Sequence, residues 1–136
     1  MTLANQSDVP PVTITMPPVA AEGVASIRRS VTDAAHRAGF PPDRADLFTV
    51  AVNEIVINAI EHGGGAATVT IVRQGPTVTV EVRDTGSGIT GTRVPIHAPP
   101  VDQPNGRGLW LASRLCDELT FHPQPTGAMI RLRSTA

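Results

Sequence analysis

The sequence predicts an α/β fold of the α+β kind, a two-layer sandwich with helices on one face of a mixed, mainly antiparallel sheet. Three segments repeat apolar residues at helical spacing, and four strand-like segments form two pairs, each joined by a glycine-containing turn. The elements follow the order β-α-α-β-β-loop-α-β-β. With 136 residues, 40% of them hydrophobic and 17% charged, the chain is expected to form one globular domain at residues 11–135, after a mobile polar lead at residues 1–10.

The first half of the chain contains one predicted strand and two predicted helices. Apolar residues alternate with threonine at residues 12–16, which predicts a short half-buried strand. A helix is predicted at residues 24–38, where apolar residues recur at helical spacing before Gly39. The second helix is predicted to begin around residues 41–43 and to reach about His62, ahead of three consecutive glycines.

The second half is predicted to form two hairpins with a loop and a helix between them. These elements are strands at 67–73 and 77–83, a loop at 90–105, a helix at 108–117, and strands at 119–122 and 128–133. The loop carries four prolines and no periodic pattern. Because loops of this length in compact domains are often functional, we expect it to act as a lid.

All 11 basic residues are arginine, and the chain has no lysine. This composition excludes the P-loop lysine and the strand lysine of eukaryotic-type kinases. The formal net charge of −1 provides no basic field for direct nucleic-acid binding or for an anionic membrane. No apolar run is long enough for export or membrane spanning, so a cytoplasmic location is expected. Cys116, the only cysteine, falls in a helical apolar pattern and is expected to be a core thiol.

The second helix carries four polar side chains on an otherwise apolar surface. At 100° per residue, Glu54, Asn58, Glu61 and His62 fall within one arc of about 100°. Either this stripe faces solvent, or it lines a polar cavity in which the buried groups find partners. In the second case the Asn58 carbonyl oxygen suits Mg²⁺, which prefers oxygen ligands shared with substrate phosphates. Glu54, one turn away, could then act as a base on a water or a hydroxyl group.

A first glycine-rich turn, Asp84-Thr-Gly-Ser-Gly-Ile89, directly follows a predicted strand. Gly86 and Gly88 permit positive φ angles and let a flat ring lie against bare backbone. Asp84 can accept a hydrogen bond from an exocyclic amine such as that of adenine. A plain turn at the end of a strand is the alternative interpretation.

A second glycine-rich turn, Asn105-Gly-Arg-Gly-Leu-Trp110, leads into the third predicted helix. Exposed N–H groups at the start of a helix attract phosphate oxygens, helped by the helix dipole. Arg107 either contacts phosphate or points to solvent. Trp110 and Leu111 are expected to be packing residues.

Taken in this order, the polar helix and the two turns resemble the N-box, G1-box and G2-box of the GHKL ATPases, which include gyrase, heat-shock chaperone, histidine kinase and mismatch-repair proteins. Within that superfamily the chain looks like the short stand-alone anti-sigma-factor serine kinases of the RsbW type. The resemblance covers about residues 12–133. It implies a Bergerat-type ATP-binding fold, with residues 11–135 forming a single kinase domain that uses ATP and Mg²⁺.

The resemblance also implies a role for each matched residue. Glu54 corresponds to the general base, Asn58 to the Mg²⁺ ligand, and Asp84 to the residue that binds the adenine amine. The other positions implied to bind or shape the nucleotide pocket are His62, Gly86, Gly88, Ile89, Gly106, Arg107, Gly108 and Leu109. Such kinases can place a lid arginine near the γ-phosphate, and here neither Arg93 nor Arg107 aligns securely with it.

Two functions are therefore considered. The first is an ATP-dependent protein-serine/threonine kinase and anti-sigma factor that phosphorylates an anti-sigma-factor antagonist in a partner-switching circuit. The alternative is an ATP-binding regulatory module without kinase turnover, which controls a protein partner through its lid. A histidine kinase catalytic domain is disfavoured because no histidine begins an H-[ED]-x-x-x-P-like segment, although a fragment of a larger kinase stays open. The implied partners are a sigma factor and its antagonist, and a homodimer is also allowed.

Overall fold

The computed structural model describes residues 10–62, 65–84 and 107–136, and these residues confirm the predicted α+β architecture. The elements are β1 (Val12–Thr15), α1 (Val24–Arg37), α2 (Pro42–His62), β2 (Thr68–Gln74), β3 (Thr77–Asp84), α3 (Arg107–Leu115), β4 (Glu118–Pro123) and β5 (Ala128–Thr135). A single 3₁₀ turn that the sequence pattern did not predict, Ala21–Gly23, precedes α1 within this part of the chain. The predicted lid at 90–105 and the polar lead up to residue 9 lie outside the described residues.

The five strands form one sheet in the order β1-β2-β3-β5-β4, and every pairing between these described strands is antiparallel. The sheet is thus purely antiparallel here, where the sequence predicted a mixed, mainly antiparallel one. Two consecutive helices join β1 to β2, so the chain returns to the end of the sheet that it left and β2 runs antiparallel to β1. The single-helix connection leaves β3 and β4 parallel, but β5 lies between them and separates them.

Successive side chains of a strand point to opposite faces of the sheet, so every second residue faces the helices. On β3 and β5 the residues facing the helices are buried: Val78, Val80, Val82, Ile130 and Leu132. Helix α2 lies in the middle of the helical layer, in contact with α1, α3, β3 and β5. Because it packs on both flanks as well as on the sheet, its sequence is apolar at most positions.

The opposite face of the sheet carries a compact ionic cluster around Glu81. Arg131 donates two hydrogen bonds to the Glu81 Oε2 atom, of 3.0 and 2.7 Å, and Arg83 donates one to Oε1 at 3.0 Å. Burial alone would raise the pKa of the Glu81 carboxyl. The hydrogen bonds and positive charges of Arg131 and Arg83 outweigh that effect and lower this pKa below its ordinary value of 4.5.

The start of α2 is tied to the end of β5 by a group of hydrogen bonds, which we call the Asp117 cluster. Asp117 accepts a 2.9 Å hydrogen bond from the Thr135 N–H through its side chain, while its own N–H donates one of 2.9 Å to the Ser134 hydroxyl. Arg44 donates to the Thr135 carbonyl at 3.0 Å and lies 3.7 Å from the Asp117 carboxylate. The Arg44 guanidinium also stacks 5.1 Å from the centroid of the Phe40 ring.

Cys116 is buried, as predicted for a core thiol. Its sulfur lies 3.2 Å from the Ala112 carbonyl oxygen and 3.3 Å from the Glu118 carbonyl oxygen. Burial raises the pKa of the Cys116 thiol to about 11, so it stays protonated at neutral pH. Among the described helices, none has the length and apolar character needed to cross a membrane.

Candidate functional site

Helix α3 approaches α2 closely at Gly108, beside two of the polar residues of the α2 stripe. A Cβ atom at Gly108 would lie 2.8 Å from the Glu54 Oε2 atom, and 3.5 and 3.7 Å from the Asn58 amide nitrogen and oxygen. Glu54 and Asn58 are both half-buried. The structure therefore brings a carboxylate, a carboxamide and the first turn of a helix into contact, joining residues that are far apart in the sequence.

The other two members of the stripe lie apart from this contact. The side chains of Glu61 and His62 are 62% and 49% exposed, and their closest charged atoms are 3.9 Å apart. Glu54 and Asn58 are half-buried against the first turn of α3, whereas Glu61 and His62 are exposed at the end of α2.

Asp84 ends β3 on the face of the sheet that packs against the helices. It continues the buried series Val78, Val80 and Val82, and it is only 3% exposed. Across the sheet it pairs with Ala128 of β5. A carboxylate at such a depth is rare unless it serves a partner or a ligand. Gly86, Gly88 and Ile89, which follow it in the first glycine-rich turn, lie outside the described residues.

Helix α3 begins at Arg107, inside the second glycine-rich segment and one residue before the predicted start at 108. Gly106 lies outside the described residues. Leu109 is 3% exposed and belongs to the hydrophobic core, which anchors the first turn of α3. Trp110 is half-buried, and the Arg114 guanidinium lies 5.7 Å from the centroid of its ring. The predicted packing role of Trp110 agrees with this environment.

Two buried polar atoms near these elements were not anticipated from the sequence. Within the described ranges, neither the Asn53 side-chain oxygen nor the Trp110 ring nitrogen has a hydrogen-bond partner. Asn53 precedes Glu54 on α2, and an asparagine inside an apolar helical run is the one sequence signal that could have drawn attention to it. Buried groups of this kind are costly to leave unpaired.

The donor set around Gly108 fits a hard cation that is shared with a phosphate. In the described part of the chain, no group of three or more His, Cys, Asp or Glu side chains could hold a metal by itself. One amide oxygen with a neighbouring carboxylate instead suits Mg²⁺, which retains waters and takes substrate phosphates as further ligands. The first turn of α3 adds N–H groups without intrahelical partners, which suit a phosphate.

Comparisons with known proteins identify the fold and the family of the chain. The fold resembles the crystal structure of the RsbU and RsbW domains of Rv1364c from Mycobacterium tuberculosis, with a TM-score of 0.65 and 20% sequence identity. The match covers 93% of this chain and 32% of that one, so the chain spans about a third of its length. A search of curated proteins found no match. Residues 18–134 match the histidine kinase-like ATPase domain, and the chain therefore belongs to that family.

Proposed function

We propose that this protein is an ATP-dependent protein-serine/threonine kinase that also acts as an anti-sigma factor, and that its substrate is an anti-sigma-factor antagonist. The observation that carries the proposal is the contact of Glu54 and Asn58 with the first turn of α3 at Gly108. Further support comes from membership of the histidine kinase-like ATPase family and from likeness to a structure that contains an RsbW domain.

Asn58 and Asp84 are the proposed nucleotide-binding side chains. Asn58 would hold Mg²⁺ through its amide oxygen, and the ion, when bound, supplies neutralisation of the phosphate charge. The N–H groups in the first turn of α3 would donate hydrogen bonds to phosphate oxygens. Asp84, buried at the end of β3, would accept a hydrogen bond from the adenine amine, which guanine replaces with a carbonyl.

Glu54 is the proposed general base. In the transfer step the hydroxyl oxygen of the antagonist's serine or threonine forms a bond to the γ-phosphorus. The bond from that phosphorus to the bridging oxygen breaks, and the electron pair leaves with ADP. The hydroxyl proton passes to the Glu54 carboxylate, which lies one helical turn from Asn58, the proposed Mg²⁺ ligand.

The anti-sigma role makes a different chemical demand. Capture of a sigma factor needs a protein-binding surface but no proton acceptor. We therefore expect capture to survive the loss of the Glu54 carboxylate, whereas phosphorylation of the antagonist does not. This difference allows the two proposed activities to be measured separately.

The test begins with a pull-down from cells, with and without ATP and Mg²⁺, which recovers the partners. The purified protein is then incubated with γ-labelled ATP, Mg²⁺ and the recovered antagonist, and Mg²⁺-dependent label on a serine or threonine of the antagonist is expected. ATP binding without any label transfer to a verified antagonist contradicts the kinase proposal and favours a regulatory module without turnover. A protein that does not bind ATP contradicts both functions.

A further inference from the structure

Gly108 occupies a position where the backbone itself does not require glycine. It is the second residue of α3, and among the described glycines the positive φ angles belong to Gly39, Gly65, Gly75 and Gly127. Alanine favours helix formation more than glycine does. Local structure alone would therefore favour alanine at position 108, and the reason for glycine has to come from outside α3.

The reason for glycine at position 108 is the close approach of α3 to α2. Outside this stretch of α3, the three heavy atoms nearest to a Cβ position at residue 108 all belong to Glu54 and Asn58. The 2.8 Å separation from the Glu54 Oε2 atom is too short for a carbon–oxygen contact, whereas the 3.5 and 3.7 Å separations from the Asn58 amide are ordinary van der Waals distances. A methyl group at this position would thus collide with Glu54 and fit against Asn58.

The clash can be relieved by a small side-chain movement, because Oε2 is at the far end of the flexible Glu54 side chain. To restore a usual separation of about 3.5 Å, the Glu54 carboxylate must move by roughly 0.7 Å, and the helices need not separate. Leu109, the next residue, keeps the first turn of α3 anchored in the core. Replacement of Gly108 by alanine would therefore keep the fold and displace one carboxylate.

We infer that Gly108 is a positioning residue for Glu54: the bare backbone at the start of α3 lets the carboxylate occupy the place from which it accepts the substrate proton. The effect on catalysis rests on the proposed function, whereas the clash between a side chain at position 108 and the Glu54 carboxylate does not. A displacement approaching 1 Å can cost roughly 10²-fold in rate when it affects a reacting group. Because Asn58 and the backbone N–H groups of the first turn of α3 keep their places, nucleotide affinity is expected to be maintained.

The steric relationship is tested by a double-mutant cycle on the melting temperature without nucleotide, using Gly108→Ala and Glu54→Ala. In the Glu54→Ala background the collision is absent, so Gly108→Ala is expected to raise the melting temperature by roughly 2–4 °C through helix propensity. In the parent background, which retains Glu54, Gly108→Ala is expected to raise the melting temperature less or to lower it. Equal shifts in the two backgrounds overturn the inference.

Gly23→Ala is the matched control for this cycle. A Cβ atom at Gly23 would also come within 2.8 Å of a side-chain atom, here the Val19 Cγ1 atom near the start of α1. Its effect on the melting temperature is expected to be the same in the parent and in the Glu54→Ala background, because Val19 is not part of the site. A background-dependent effect of Gly23→Ala would show that the cycle does not isolate the contact, and would overturn the inference.

The catalytic consequence is tested on the same variant with γ-labelled ATP and the antagonist. Gly108→Ala is expected to lower the turnover rate about 10²-fold while the dissociation constant for ATP with Mg²⁺ changes less than about threefold. Unchanged turnover in Gly108→Ala, or a loss of ATP affinity as large as the loss of turnover, overturns the positioning role. If the parent has no turnover, the proposed function fails, and the melting cycle still decides the steric relationship.

Discussion

The polar side chains at the two ends of the α2–α3 helix pair differ in their hydrogen bonding to the described residues. At one end, Arg44 and Asp117 form an ion pair with each other, and each is joined to the end of β5 by hydrogen bonds of the Asp117 cluster. At the other end, Glu54 and Asn58 lie against the bare backbone of Gly108. Across the part of the chain that the structure describes, no residue forms a hydrogen bond with either of these two side chains.

The comparison separates a stabilising end from the proposed binding end within one pair of helices. Polar groups that are already paired contribute to the free energy of unfolding and have little capacity left for a ligand. Half-buried polar groups that have no hydrogen-bond partner among the described residues contribute less to stability there, and such groups can accept a partner from a ligand. Substitutions at the two ends should therefore affect different measurements.

The largest expected effect is that of Glu54→Gln on phosphoryl transfer. The amide keeps the shape and polarity of the side chain but cannot accept the hydroxyl proton, so turnover should fall by about 10²–10⁴-fold. Nucleotide affinity and sigma capture should change little. Transfer of labelled phosphate from ATP to the antagonist is the measurement.

Glu61→Gln is the matched control, since Glu61 lies on the same helix with a side chain that is 62% exposed. It should leave the rate of transfer unchanged. Similar rates for Glu54→Gln and the parent protein exclude Glu54 as the base. A loss of activity in Glu61→Gln as large as that in Glu54→Gln would mean that the binding end extends to the end of α2.

Asn58→Ala should remove most of the dependence of ATP affinity on Mg²⁺. Loss of an outer partner of a metal ligand already costs roughly 10–100-fold in metal affinity, and loss of a ligand should cost at least as much. Calorimetric titration with ATP, in Mg²⁺ and in EDTA, measures the effect. Asn53→Ala, on the same helix, is the control and should keep the full dependence. The same Mg²⁺ dependence in Asn58→Ala as in the parent would rule out Asn58 as the ligand.

Asp84→Ala should weaken ATP binding and abolish the preference for ATP over GTP. The unpaired adenine amine costs about 1–3 kcal/mol, which corresponds to roughly 5–150-fold in affinity. Competition between the two nucleotides, measured by calorimetry, tests this expectation. Equal affinities of the parent protein for ATP and GTP would contradict the adenine role of Asp84. Circular dichroism of the variant checks that the fold is kept.

The smallest expected effect comes from the Asp117 cluster. Asp117→Ala removes the acceptor of the Thr135 N–H and should lower the free energy of unfolding by about 1 kcal/mol, because the exposed pair with Arg44 adds little. Nucleotide affinity should be unchanged. Urea unfolding is the measurement, and Asp33→Ala, which breaks an exposed pair within α1, should cost only about 0.3–0.5 kcal/mol. Weaker ATP binding in Asp117→Ala would remove the distinction between the two ends.

Most of the fold follows from patterns that are local in the sequence. Helical spacing predicted α1 and α2 to within a few residues, and alternation with glycine turns predicted both hairpins, because these signals depend on neighbours along the chain. The insertion of β5 between β3 and β4 was not predicted, since it depends on which strand edge is free when the last hairpin packs.

The residues of the candidate site could be proposed from the sequence, but their arrangement in space could not. The stripe on α2 was visible in the sequence, yet its division between Glu54 and Asn58 on one side and Glu61 and His62 on the other depends on where α3 crosses. Helical periodicity carries no information about that crossing. Gly108 and its α2 neighbours meet only in the folded chain, so the steric reason for glycine could not be inferred beforehand.

Trp110 is an intrinsic fluorescent probe at the start of α3, where this helix contacts α2. It is the only tryptophan in a chain without tyrosine, and it lies two residues after Gly108 in α3. Ultraviolet emission from the unlabelled protein therefore originates almost entirely from one indole ring, which stacks 5.7 Å from the Arg114 guanidinium. A ligand that changes the electric field at the start of α3 acts directly on this ring, so the intensity and colour of the emission report on that single helical turn.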